Sequence, residues 1–182
     1  VFEFLNQLLV AATPYAEAEI SELKELAKAD GIDDLQAYDH AYYTEKLRKA
    51  KYDLNDEELK PYFPLEEVEK AVFSLAQRLF GLNFREVEGI QKYHQEVKTY
   101  LVEENGKEKA ILYVDYHPRK GKRAGAWMTS FKNQWKEGDE NSRPHISVVC
   151  NFSKPTNEVP SLLSFQEVTT LFHEFGHALH GI

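Results

Sequence analysis

Apolar residues recur at helical spacing in the first part of the chain. Their spacing predicts a long helix over residues 2–29, which continues through Pro14 with a kink, and two more helices over residues 39–51 and 65–80. A short turn of helix is predicted to open at Asn55. The chain therefore begins with a helical part that extends to about residue 80.

The pattern then changes to runs of β-branched and aromatic residues. Asn105 and Gly106 tolerate positive φ at both positions of a type I′ turn, so the runs on either side of them should form a hairpin. The second arm of this hairpin is apolar on both faces, which is typical of an inner strand. The predicted strands are residues 97–102, 110–116, 124–131 (an edge strand) and 145–152, with residues 136–144 as a polar loop.

A last helix is predicted after a loop at residues 155–160. Ser164 and Glu167 form a capping box, in which each side chain accepts a hydrogen bond from the other residue's backbone amide and so fixes the helix start. Apolar residues then continue at helical spacing to the end of the sequence. The order of helices, a small and mostly antiparallel sheet, and one final helix predicts an α+β fold that is mainly helical.

This final helix carries the sequence H-E-F-G-H at residues 173–177. Residues four apart lie one turn apart on one face of a helix, so two imidazoles can converge on one Zn²⁺ at about 2.0–2.1 Å each. Glu174 lies beside them, where it can take a proton from a water molecule at the metal. The motif predicts His173 and His177 as metal ligands and Glu174 as a general base, against the alternative of a buried helix with two incidental histidines.

Two further residues of the helix bear on this hypothesis. His180 lies about 10.5 Å along the axis from His173, too far for His173, His177 and His180 to share one ion. His180 also stands where the metzincin pattern H-E-x-x-H-x-x-G-x-x-H requires glycine, so we expect a structural role for it. Glycine at position 176 destabilises the helix by about 1 kcal/mol relative to alanine. We therefore expect that the absence of a side chain at this position is required.

Composition limits the classes of partner. The 182 residues carry a net charge of −8, from 22 basic and 30 acidic side chains, so a nucleic-acid partner is not expected. The single cysteine, Cys150, excludes a multi-cysteine zinc site, and we expect a buried inert thiol there and not a nucleophile beside His145. No apolar run approaches the roughly 20 residues that span a bilayer, and no signal peptide is recognisable. We therefore expect a cytoplasmic protein without a membrane partner.

The segment F-H-E-F-G-H-A-L-H-G at residues 172–181 closely resembles the active-site helix of the thimet oligopeptidase family, nearest its bacterial peptidyl-dipeptidase branch. Other similar segments follow the family's order and lie at residues 39–43, 62–65, 122–128 and 150–155. Family members are much longer, mainly helical and two-lobed. The resemblance implies a fragment of such an enzyme that ends just after the motif, with the remainder of the parent polypeptide as its partner.

The resemblance also implies a division of this partial catalytic domain, residues 1–182, into three parts. Residues 1–80 would be its helical part, residues 81–152 its small sheet, and residues 153–182 a loop followed by the active-site helix.

In function, the resemblance implies a zinc metallopeptidase that hydrolyses short unstructured peptides and releases C-terminal dipeptides; an endo-acting oligopeptidase of the same family is the alternative. His173 and His177 would bind Zn²⁺, Glu174 would be the general base, and a third ligand, a glutamate, would come from a later helix beyond Ile182. We therefore expect weak zinc binding and no peptide hydrolysis by the chain alone. The alternative hypotheses from another functional class are a catalytically incompetent folded fragment and a structural zinc-binding domain.

Two features outside the final helix have possible binding roles. Ala126, Trp127 and Met128 resemble the family's edge strand, which lies along the substrate backbone. The basic loop at residues 117–123 could bind an anion or a peptide carboxylate, although a solvated loop is the simpler expectation.

Overall fold

The computed structural model describes residues 1–52 and 56–182. The chain divides into two compact units, Val1–Asn55 and Asp56–Ile182. Asn55, where a helical turn was predicted to open, lies outside the described residues. No helix within the described residues is both long and apolar enough to cross a membrane.

The first unit is a pair of helices, α1 (Phe2–Ala29) and α2 (His40–Tyr52). The first helix continues through Pro14, as the uninterrupted helical spacing of its apolar residues predicted. Its C-terminal half supplies Leu23 and Ala27 to a small core that is completed by Tyr43 of α2. Apolar side chains of its N-terminal half, such as Leu5 and Leu9, remain more than half exposed.

The second unit combines helices with a five-stranded sheet. Its helices are α3 (Asp56–Leu59), α4 (Leu65–Phe80) and α5 (Phe165–Gly181), with a 3₁₀ turn at Lys60–Tyr62. Its strands are β1 (Leu82–Glu86), β2 (Lys98–Glu104), β3 (Lys107–Asp115), β4 (Trp127–Lys132), β5 (Trp135–Glu137), β6 (Glu140–Ser142) and β7 (His145–Val149). The α+β order of elements is therefore confirmed.

The sheet has the order β1-β2-β3-β7-β4. Only β3 and β7 pair in parallel, and the other neighbours are antiparallel. The hairpin of β2 and β3 turns at Asn105 (φ 51°) and Gly106 (φ 74°), so both predicted positive φ angles are present. The inner position of β3 and the edge position of β4 are confirmed as well.

The strands differ from the prediction at two places. Strand β1 was not predicted, although the alternation of Leu82 and Phe84 with polar residues was a weak signal for it. The predicted polar loop at residues 136–144 contains the β5–β6 hairpin, in which Glu137 pairs with Glu140 across the two-residue turn Gly138-Asp139. A Gly-Asp turn is a recognised hairpin signal, but the surrounding polar composition concealed it.

One core holds the second unit together on a single face of the sheet. Val72 and Ala76 of α4 and Leu171 and Phe175 of α5 belong to the same buried cluster as the inward side chains of the strands. Phe73 of α4 contacts Phe175 of α5, with ring centroids 5.7 Å apart. Both long helices thus lie on the same face of the sheet, and α5 is fixed against β4 and β7.

Candidate active site

The start of α5 is fixed by the residues that precede it. The Glu167 carboxylate accepts from the Ser164 amide at 2.8 Å, and the Ser164 hydroxyl accepts from the Glu167 amide at 3.2 Å, so the predicted capping box is confirmed. The chain before the cap is tied to the segment before α4, because the Leu163 amide donates to the Phe63 carbonyl at 2.9 Å. These contacts fix both the rotation of the helix about its axis and its position.

The apolar positions of α5 decide which way its polar residues point. Leu171, Phe175 and Ala178 are buried against the sheet. His173 and His177 lie on the exposed side of the same helix. Because a helix turns by about 100° per residue, burial of these three apolar side chains leaves the two histidines facing outward.

The two histidines converge on each other. Their Nε2 atoms are 3.1 Å apart, and their rings are nearly perpendicular, at 86° with centroids 4.7 Å apart. Two nitrogens held at about 2.0–2.1 Å by one tetrahedral Zn²⁺ would lie about 3.3–3.4 Å apart. The donor atoms therefore already have nearly the separation that a shared zinc ion requires.

Glu174 is half buried and follows His173 directly on the helix. Its charge acts on Cys150, just beyond the end of β7: burial raises the pKa of the Cys150 thiol to about 12, and the nearby Glu174 carboxylate adds to that rise. Cys150 is fully buried, which confirms the prediction of a buried thiol and leaves it protonated at neutral pH. The Glu174 carboxylate is thus placed near the C-terminal end of the sheet strand beneath the helix.

The described residues contain no cluster of three or more His, Cys, Asp or Glu side chains that could hold a metal ion. His180 is exposed and lines a groove with Gly176 and Phe80 in which neither His173 nor His177 takes part. Within the described chain, the donor set at His173 and His177 consists of two imidazoles. Two imidazole donors fit half of a tetrahedral zinc site, and the remaining positions are left open.

The two glycines of α5 differ in their surroundings. A Cβ at Gly176 would meet nothing within 4 Å, so no described residue accounts for the expected need for glycine there. A Cβ at Gly181 would lie 2.8 Å from Cδ1 of Ile146 on β7 and 3.5 Å from Cε of Met128 on β4. The close approach of the helix to the sheet is therefore at its last turn, where Gly181 permits it.

The predicted substrate-binding residues do not share one orientation. Ala126 precedes β4, which begins at Trp127. Met128 packs against the core beneath α5. Trp127 contributes instead to a cavity with Asp115, because neighbouring residues of a strand point to opposite faces. The backbone of β4 lies at the outer edge of the sheet, so its potential to pair with an extended peptide is retained.

The basic loop at residues 117–123 is not simply solvated, which corrects the simpler expectation. Asp115, at the end of β3, is only 2% exposed and accepts hydrogen bonds from Arg119 at 2.7 and 2.9 Å and from Lys122 at 2.9 Å. Tyr93 donates to the same carboxylate at 2.9 Å. Burial raises the pKa of Asp115, but these hydrogen bonds outweigh it, and the net pKa lies below its ordinary value.

The segment between this loop and β4 is held by a side chain that sequence reasoning missed. The Asn151 amide donates to the backbone carbonyls of Arg123 at 2.9 Å and Gly125 at 2.7 Å. Arg123 in turn lies over the Trp127 ring, 4.8 Å from its centroid. Asn151 lies inside the predicted strand 145–152 but beyond the observed end of β7 at Val149, and no local signal in the sequence revealed its long-range partners.

Comparison with known proteins places these features in a family. The model of Peptidase family M3 matches residues 1–182. Oligopeptidase A of Escherichia coli (strain K12) is 38% identical over 183 residues, which cover 99% of this chain and 27% of that protein. Dipeptidyl carboxypeptidase of the same strain is 38% identical over 182 residues, covering 98% of this chain and 26% of that protein.

A plant relative is similar to the chain to the same degree as the bacterial relatives. The Probable cytosolic oligopeptidase A of Arabidopsis thaliana is 38% identical over 187 residues, which cover 97% of this chain and 27% of that protein. The chain thus spans about a quarter of the length of these relatives.

Proposed function

Because the chain belongs to Peptidase family M3, we propose that it is part of a zinc-dependent peptidase in which His173 and His177 bind the metal and Glu174 is the general base. The observation that carries this proposal is the 3.1 Å separation of the two Nε2 atoms on the exposed face of α5. A structural zinc site would need four protein donors, whereas a catalytic site keeps a position open for water or substrate.

The residues of the chain have distinct roles in the proposed hydrolysis. Zinc, when bound, supplies a Lewis acid that polarises the scissile carbonyl and acidifies water. Glu174 takes a proton at a carboxylate oxygen as water adds to the carbonyl carbon, and passes it to the amine nitrogen as the C–N bond breaks. The half-buried position of Glu174 keeps it partly out of solvent, and the capping box fixes the helix that carries it.

The proposed substrates are short peptides without stable structure. The outer edge of β4 offers amides and carbonyls to which an extended backbone can hydrogen-bond. A folded protein has few extended segments free to add to such an edge, whereas a short peptide has no competing structure. The relatives named oligopeptidase and dipeptidyl carboxypeptidase support peptides as the substrate class.

For the position of cleavage, we propose release of C-terminal dipeptides, with endo-cleavage as the second candidate because relatives of both names match equally well. Amidation of the substrate C-terminus distinguishes the two. A dipeptide-releasing enzyme should lose most of its activity on the amidated peptide, whereas an endo-acting enzyme should cleave both forms at similar rates. We infer a cytosolic location from the name of the plant relative.

The test of the mechanism is Glu174→Gln in the intact polypeptide that carries this chain. The substitution keeps the size of the side chain and removes the base, so hydrolysis of a quenched fluorescent peptide should fall by about 10²–10⁴ while zinc content stays the same. Glu158→Gln, in an exposed loop, is the matched control and should behave like the wild type. Near-normal hydrolysis by the Glu174→Gln variant would contradict the proposed mechanism.

A further inference from the structure

A cavity of about 350 Å³ lies on the face of the sheet opposite α5. Its walls are aromatic: Tyr93, Trp127 and Phe131 line it, and Tyr93 and Phe131 touch with ring centroids 5.9 Å apart. Ser147 and Val149 of β7 form its base. The histidines of α5 do not take part, so this cavity is separate from the candidate metal centre.

The cavity is cationic although the whole chain carries a net charge of −8. Three cationic side chains line it, Arg119, Lys122 and Arg123, and Asp115 is the carboxylate among them. Arg119 and Lys122 both form ion pairs with Asp115, so these three side chains together carry one excess positive charge. Arg123 adds a second positive charge and has no ion-pair partner within the described part of the chain.

A buried hydroxyl lies at the base of this cavity. Ser147 is fully buried, and its Oγ makes no hydrogen bond of normal length and angle to any described residue. It lies near Tyr93, where it opposes the rise in the pKa of that phenol caused by burial. Ser147 therefore lies behind Tyr93 at the base of the cavity, and its hydroxyl is not open to a ligand.

The position of the cavity relates it to the edge strand. Thr129 pairs with Ser147, and Trp127 pairs with Val149, so these side chains of β4 and β7 point to the cavity side of the sheet. A peptide that adds to the outer edge of β4 would place every second side chain on that same side. Such a side chain would lie beside Trp127 and within reach of the Arg123 guanidinium.

We propose that this cavity is a carboxylate-binding subsite for the peptide substrate, reading either an acidic side chain or a free C-terminus. The proposal rests on the proposed peptidase function and adds a substrate preference to it. The excess positive charge attracts the carboxylate, the Arg123 guanidinium binds it, and the aromatic walls hold the apolar part of the side chain.

The test uses the intact polypeptide and a set of peptides that differ at one position. In one arm, glutamate replaces glutamine at successive positions of a C-terminally amidated peptide. In the other arm, a peptide without acidic side chains is compared with free and amidated C-termini. Wild-type enzyme should hydrolyse the carboxylate-bearing peptide with a kcat/KM about fivefold higher than that of its neutral counterpart. This preference should occur at one substrate position, or at two positions separated by one residue.

The variants assign this preference to the cavity. Arg123→Gln should bring the ratio between carboxylate and amide peptides close to one. Lys120→Gln, an exposed residue of the same loop that does not line the cavity, should keep the wild-type ratio. Circular dichroism spectra that match the wild type exclude misfolding as the cause of a lost preference.

The possible outcomes separate this proposal from the proposed function. Hydrolysis of every peptide with no carboxylate preference in either arm would overturn the subsite and leave the peptidase function standing. The same holds if a preference is found but persists in the Arg123→Gln variant. Failure of the zinc-loaded wild type to hydrolyse any peptide would overturn the peptidase function itself.

Discussion

Lys122 donates a 2.9 Å hydrogen bond from its Nζ to Oδ1 of Asp115, and each of these side chains is at most 3% exposed. The same ammonium group donates to the backbone carbonyls of Asp115 at 3.0 Å and His117 at 2.8 Å. All three bonds of the ammonium are therefore used to fold the loop back onto the end of β3. This arrangement orders the connection that leads to the edge strand β4.

The first prediction concerns Asp115→Asn. Removal of the carboxylate leaves Lys122 as a buried charge without a counterion, so the free energy of unfolding at pH 7 should fall by about 3 kcal/mol. Urea unfolding followed by the fluorescence of Trp127 and Trp135 measures this change. Asp139→Asn, in the exposed β5–β6 turn, should leave the midpoint unchanged.

The effect of this substitution should depend on pH in one direction. The folded pKa of Asp115 is lowered, so its carboxylate stabilises the fold above the unfolded pKa of about 3.9, and this stabilisation is lost as the pH falls through the folded pKa. The difference between wild type and Asp115→Asn should therefore shrink between pH 7 and pH 3. An equal difference at both pH values would contradict the charged role of Asp115.

The second prediction contrasts two glycines of one helix. Gly176→Ala should raise the free energy of unfolding of this chain by about 0.5–1 kcal/mol, because alanine favours the helix and a Cβ there meets no neighbour. Gly181→Ala should lower it by about 1–3 kcal/mol, because its Cβ would collide with the buried Ile146 side chain. Thermal or urea unfolding of both variants measures these changes. A change in the free energy of unfolding of the same sign in both variants would contradict the described packing of α5.

The third prediction is that the 182-residue chain binds zinc weakly. Two imidazoles are its donors at this site, so dialysis against a mild chelator should remove the metal. His173→Ala should weaken zinc binding further in a titration, whereas the matched variant His180→Ala should not. One zinc ion per chain that survives prolonged dialysis would show that the described donors are not the whole set.

The fourth prediction is that the isolated chain does not hydrolyse peptides, even with added zinc. The open coordination positions at His173 and His177 lack a protein carboxylate within the described residues, and a catalytic zinc site normally has three protein ligands. A quenched fluorescent peptide provides the assay. Chelator-sensitive cleavage that disappears in the Glu174→Gln variant would show that a complete site can assemble from this chain.

The fifth prediction assigns Asn151 a positioning role. Asn151→Ala removes the two hydrogen bonds that hold Arg123 and Gly125 before β4, so the intact polypeptide should show a KM raised about threefold to tenfold, with kcat and zinc content little changed. Asn157→Ala, in an exposed loop, is the control. A variant that loses kcat and zinc instead would indicate a general loss of structure.

The sequence alone determined the features that depend on neighbouring residues. The capping box at Ser164, the four-residue spacing of His173 and His177, and the Asn105-Gly106 turn are all local, and each is present in the structure. Burial of the apolar residues of α5 then leaves the histidines on the opposite face of the same helix.

Only the tertiary structure decided what depends on residues far apart in the chain. The parallel pairing of β3 with β7 brings Asp115 beside Val149, and this pairing places the cavity behind the edge strand. Asn151 finds its partners 26 and 28 residues earlier, and Tyr93 finds Asp115 22 residues later. No local pattern encodes such contacts, because the phenol of Tyr93 and the amide of Asn151 reach these partners only once the sheet has brought distant segments together.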